Sequence, residues 1–130
     1  MKKLLVALLL SLFSASAMAE WTPVNVRDHG DSLYFVDLDT IHKTDHMVRM
    51  WELADHKTEK QFGNINFLSA KMHAEFDCKE EKRRALSAVY FSDHMGSGDV
   101  IHRTNYAGQW KPVPQGDLYE AMWEAACGVK

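Results

Sequence analysis

Two cysteines, Cys78 and Cys127, constrain this chain most strongly, because its first residues mark it for a compartment where thiols oxidise. Lys2 and Lys3 precede an apolar run over residues 4–13, and Ala17-Met18-Ala19 supplies the small-x-small pattern of a cleaved export leader. The run is about half the ~20 residues that a bilayer-spanning helix needs, and no later segment is long or uncharged enough to serve. The mature chain, residues 20–130, is therefore expected to be exported and not membrane-spanning. With only two cysteines, an intramolecular bond has one connectivity. It would close a loop of about 50 residues and contribute roughly 4 kcal/mol by restricting the unfolded chain. Free thiols or an intermolecular bond are the alternatives at this point.

The 130 residues are 46% apolar and 25% charged, a globular composition that excludes a disordered or collagen-like chain. Removing Lys2 and Lys3 with the leader takes the formal charge from -3 to -5. An acidic surface argues against nucleic acid as a partner, since that binding rests on cations displacing counterions. A chain this size supports one hydrophobic core, so a single domain over residues 20–130 is expected.

Residues 32–41 and 46–54 are rich in β-branched and aromatic side chains, and the polar residues 42–45 between them predict an antiparallel hairpin. Residues 71–78 alternate most cleanly: Met72, Ala74, Phe76 and Cys78 fall on one face, Lys71, His73, Glu75 and Asp77 on the other. That is the pattern of a half-buried strand. The charged stretch 79–83 reads as a connection, residues 84–92 as the next strand, and 95–99 as a tight turn into a strand over 100–106. Residues 64–69 are ambiguous. Pro114-Gln115-Gly116 breaks the chain, Asp117 can cap a helix, and Glu120 stands three residues on. In the helix that follows, Tyr119, Met122, Trp123, Ala126 and Cys127 form one apolar stripe.

No catalytic motif is present. Seven histidines (29, 42, 46, 56, 73, 94 and 102) invite a metal reading, and the His46-Met47, Met72-His73 and His94-Met95 neighbours suggest copper or silver. Neighbours in a strand point to opposite faces, however, so such dipeptides do not chelate one ion, and neither metal nor cofactor is expected. Ser97 between glycines is turn chemistry rather than a nucleophile, and Asp37 with Asp39 reads as strand carboxylates rather than an acid/base pair. Lys79, Lys82, Arg83 and Arg84 form a basic cluster that could meet an acidic partner, a glycan or an acidic protein segment. The four tryptophans, Trp21, Trp51, Trp110 and Trp123, are expected in the core; an exposed one would be a partner anchor.

Several segments together resemble the bacterial surface-adhesin protein E family. They are Trp21 with Val24, Tyr34-Phe35-Val36-Asp37 with Thr40-Ile41, Val48-Arg49-Met50-Trp51-Glu52-Leu53, and Glu75-Phe76-Asp77-Cys78. Met95-Gly96-Ser97-Gly98 and Trp110-Lys111-Pro112-Val113-Pro114, leading to the helix with Cys127, complete the likeness. The resemblance implies an α+β fold, an antiparallel sheet of about six strands with one C-terminal helix tied on by a disulfide, and Cys78 with Cys127 match that pair. It also implies a non-enzymatic protein that adheres to host extracellular-matrix or serum proteins, with homodimers. The namesake is lipid-anchored, whereas here Glu20 follows Ala19 and no cysteine is placed for acylation. A periplasmic or released protein is expected, and a periplasmic housekeeping or envelope-stress binding module is the alternative function.

Overall fold

The computed structural model describes residues 20–24, 30–116 and 118–128; residues 1–19, read above as a leader, and His29 and Asp117 lie outside them. Strand β1 (Thr22–Pro23) is followed by β2 (Ser32–Thr44), β3 (Met47–Phe62), β4 (Ile65–Asp77), β5 (Lys82–Phe91), β6 (Val100–Thr104) and β7 (Lys111–Pro112). Helix α1 (Leu118–Cys127) closes the chain. Strands β1 to β6 pair in sequence order, each antiparallel to the next, and the two-residue β7 pairs with β5.

The strands are longer than their hydrophobic cores predict. Strand β2 runs through Thr44, so the hairpin turn shrinks from residues 42–45 to Asp45 and His46. Asp45 takes φ 60, and a short polar side chain tolerates that left-handed turn. The ambiguous residues 64–69 belong almost wholly to β4. The charged connection contracts too: its turn covers 78–81, and Lys82 and Arg83 are already in β5. Arg83 can enter the sheet because a buried carboxylate, Glu52, neutralises it. Around the expected glycine turn, a short 3-10 turn (His94–Gly96) forms, and β6 ends two residues earlier than expected.

The ladder breaks register at four places, between Asp37 and His42, Asp55 and Lys60, His73 and Ala74, and Tyr90 and Phe91. Such irregularities bend strands, and a bent sheet can bury residues on both faces. The closed face carries Val36, Val48, Met50, Ala74 and Phe76, all buried with Leu118, Met122, Trp123 and Ala126 of α1. The helical stripe is thus rotated slightly from the sequence reading: Leu118 is buried, while Tyr119 is 42% exposed. Each fully buried Val, Leu, Met or Phe side chain among them is worth about 1.5–3 kcal/mol. The Glu120 carboxylate accepts the Gly116 N–H, tying the first turn of the helix to the chain that enters it.

Two links fix α1 to the end of β4. The Cys78–Cys127 disulfide joins residues whose Cα atoms are 5.7 Å apart. Beside it, the buried Trp123 indole N–H donates to the Asp77 carbonyl at 3.1 Å. Converting Cys127→Ser should lower the unfolding free energy by about 4 kcal/mol. Denaturant melts of the oxidised protein and the variant measure this, and equal midpoints would show that the bond does not restrict the unfolded chain.

Candidate functional site

The four basic residues singled out in the sequence do not form one patch. Lys79 and Lys82 are exposed at the β4–β5 turn. Arg83 and Arg84, as neighbours in a strand, point to opposite faces. Arg83 goes to the closed face, where its Nη2 bonds the Glu52 carboxylate at 3.0 Å and its guanidinium lies 4.3 Å from the Tyr119 ring. Two adjoining cavities, about 400 Å³ and about 140 Å³, share Met72, Arg83 and Tyr119 at this spot. Arg84 goes to the open face, bonding Glu75 at 2.8 Å and lying 4.6 Å from the Trp110 ring.

The open face is organised in rows by the strand register. One row runs Phe35, Leu53, Lys71, Val89 and Arg103; the next runs Asp37, Trp51, His73 and Ser87. A third runs His42, Arg49, Glu75 and Arg84. Three of the four tryptophans are here rather than in the core: Trp21 beside Lys71, Trp51 beside His73 and Trp110 beside Arg84. Only Trp123 is buried. The sequence carried one sign of this. In residues 48–53 both alternating sets, Val48 with Met50 and Trp51 with Leu53, are apolar, which marks a strand buried on two faces.

Side chains hold this face in place. Trp51 and His73 stack at 4.7 Å with planes 9° apart. Across the register break in β2, the Thr40 hydroxyl donates to the Asp37 carbonyl at 2.6 Å and accepts the Trp51 N–H at 3.0 Å. It thereby replaces a ladder bond that the irregularity removes. Asp37 is only 5% exposed and accepts the Asp39 N–H at 3.1 Å, whereas Asp39 is exposed, so the two carboxylates do not converge as an acid/base pair. The turn over 92–99 packs on the far end. There the Ser69 hydroxyl donates to the Asp93 carbonyl at 2.6 Å and accepts the Gly96 N–H at 2.8 Å. The Ser97 hydroxyl donates to the His94 carbonyl at 2.6 Å, a bond within the turn. A cavity of about 400 Å³ opens on this face, lined by Trp21, Asp37, Thr40, Trp51, Lys71, Val89, Phe91 and Arg103.

Charge on the two faces responds to burial differently. Burial would push Glu75 up, but hydrogen bonds from Arg49 and Arg84 and their charges outweigh it and hold the carboxyl below its ordinary range. Burial and then the nearby Arg49 lower His73, against the pull of Glu75, so its imidazole is neutral at pH 7. Glu52 goes the other way: burial lifts it from 4.5 to about 7, with Arg83 opposing. Among the described residues, no three His, Cys, Asp or Glu side chains converge as metal ligands.

Two variants test these placements. Thr40→Val leaves the Trp51 N–H without its partner and should cost about 1–3 kcal/mol in a urea melt; an unchanged midpoint would contradict the bond. Arg83→Met strands the buried Glu52 and should cost about 3–5 kcal/mol near pH 8. The deficit should shrink toward pH 5, where a lone buried carboxyl holds a proton. The sign is the same in the parent protein. With Glu52 lifted from 4.5 to about 7, its contribution is complete below the lower value and is lost as pH rises through the upper one. A deficit in Arg83→Met that is equal at both pH values would contradict the assignment.

The family profile described as surface-adhesin protein E matches residues 21–128. Crystal form II of Haemophilus influenzae protein E is similar at TM-score 0.63 and 8% identity, covering 82% of this chain and 87% of that one. Protein E from non-typeable Haemophilus influenzae is similar at TM-score 0.53 and 13% identity, covering 82% of this chain and 75% of that one. At these identities, the structural likeness is one of fold.

Proposed function

The chain belongs to the surface-adhesin protein E family, and on that premise we propose that it is an exported, non-enzymatic adhesin whose folded surface binds a host extracellular-matrix or serum protein. The observation that carries this reading is the family match over nearly all of the chain beyond the leader. Export through loss of residues 1–19 would deliver the rest to the periplasm or the medium.

Two features support a binding surface away from the helix. The closed face is spent on holding α1, so a partner meets the sheet from the other side or at its ends. Lys79 and Lys82 stand exposed at the β4–β5 turn, and Arg84 lies on the open face against Trp110. On an otherwise acidic mature chain, these cations mark the end to which an acidic protein segment would be drawn. Arg83, held by Glu52 and covered by Tyr119, contributes by shaping that end rather than by direct contact.

Oxidised protein should bind at least one immobilised matrix or serum protein saturably. Replacing both exposed lysines by glutamate, Lys79→Glu with Lys82→Glu, should weaken that binding about tenfold or more, because the new charges repel the same partner. Circular dichroism checks that the double variant keeps its fold. No saturable binding to any matrix or serum protein would overturn the adhesin reading.

A further inference from the structure

The open-face cavity is left unused by a partner drawn to the basic end, and its lining is specific. We infer that it is a binding subsite for an acidic saccharide, a sugar ring carrying a carboxylate as uronates do. The register brings the required groups together: Lys71, Val89 and Arg103 are cross-strand neighbours in one row, and Asp37 and Trp51 are neighbours in the next.

Two cations on the cavity wall lack an acidic partner among the described residues. The Lys71 ammonium lies 5.9 Å from the Trp21 ring centroid and 5.2 Å from that of Phe91, and Arg103 is exposed. An anion in the cavity would complement them, and a guanidinium suits a carboxylate in particular. Asp37 adds the opposite demand. Its Oδ1 takes the Asp39 N–H, while Oδ2 has no protein partner among the described residues, although the residue is only 5% exposed. An acceptor with spare capacity on the cavity wall can take a donor such as a ligand hydroxyl in place of water. A ligand that offers carboxylate and hydroxyls in one rigid body satisfies both.

Shape agrees with this chemistry. Trp21 and Trp51 line the cavity with flat apolar surface, the kind on which the C–H face of a pyranose packs. The volume of about 400 Å³ lies within the range of small-molecule pockets, and a single acidic side chain would fill little of it. The site is also preorganised. His73 stacks on Trp51 and Thr40 holds its backbone. Gly96, at φ +69, lets the turn lie on the Lys71 stem, where a Cβ would come within 2.4 Å of Lys71 Cε.

The test is a titration of the oxidised mature protein followed by the indole N–H resonances of its tryptophans. A hyaluronan tetrasaccharide, which carries glucuronates, should shift Trp21 and Trp51 saturably and leave Trp123 in place. Chitotetraose, neutral and of the same length, should bind about tenfold more weakly or not at all. Lys71→Met, which keeps the stem, and Arg103→Gln, at an exposed position, should each weaken the acidic ligand about tenfold. The proposal is overturned if the tetrasaccharide leaves Trp21 and Trp51 unmoved, if the neutral sugar binds equally well, or if only a Glu-rich hexapeptide produces the shifts.

Discussion

The end of β4 is where this fold is pinned. Three groups meet there within two residues: Cys78 bonds Cys127, the Asp77 carbonyl accepts the Trp123 indole, and the Asp77 carboxylate accepts the N–H groups of Lys79 at 3.0 Å and Glu80 at 2.9 Å. Burial would raise Asp77, but those two amides, together with the nearby His46 and Lys82, outweigh it and keep the carboxyl below its ordinary range. One residue pair therefore stiffens the turn while the next fastens the helix. A ten-residue helix is marginal alone in water and depends on such anchoring.

Fixing α1 on the face of Ala74 and Phe76 decides the character of the other face. Val36, Val48 and Met50 are consumed by helix packing, and their strand neighbours must face away. Those neighbours are Asp37, Arg49 and Trp51, so charge and indole rings gather where the helix is not. The register breaks then bend the strands enough to shelter this second surface without sealing it. The result is a sheet with a dry face that holds the protein together and a polar-aromatic face that has room for a ligand.

Much of this was legible along the chain, and the failures share a cause. The alternation over residues 71–78 located the central strand and the side that meets the helix, because a period of two maps directly onto the two faces of a sheet. The helix was legible from its apolar stripe, and the cysteine pairing from the presence of only two cysteines. Strand lengths were not, because His42, Lys43 and Thr44 carry no hydrophobic signal and enter β2 through pairing with β3. The basic run looked like one patch because adjacency in sequence hides the pleat, which sends Arg83 to Glu52 and Arg84 to Glu75. Size alone points the tryptophans to the core. Three of them serve instead as partners for Lys71, His73 and Arg84, contacts made between segments distant in sequence.

The division into a dry face and an open face is most directly measured by hydroxyl-radical labelling of the four tryptophans in the free, oxidised protein. The account predicts that Trp21, Trp51 and Trp110 are modified readily while Trp123 is protected. Modification of Trp123 at the same rate as the other three would mean that α1 does not cover the sheet, and the account would be wrong.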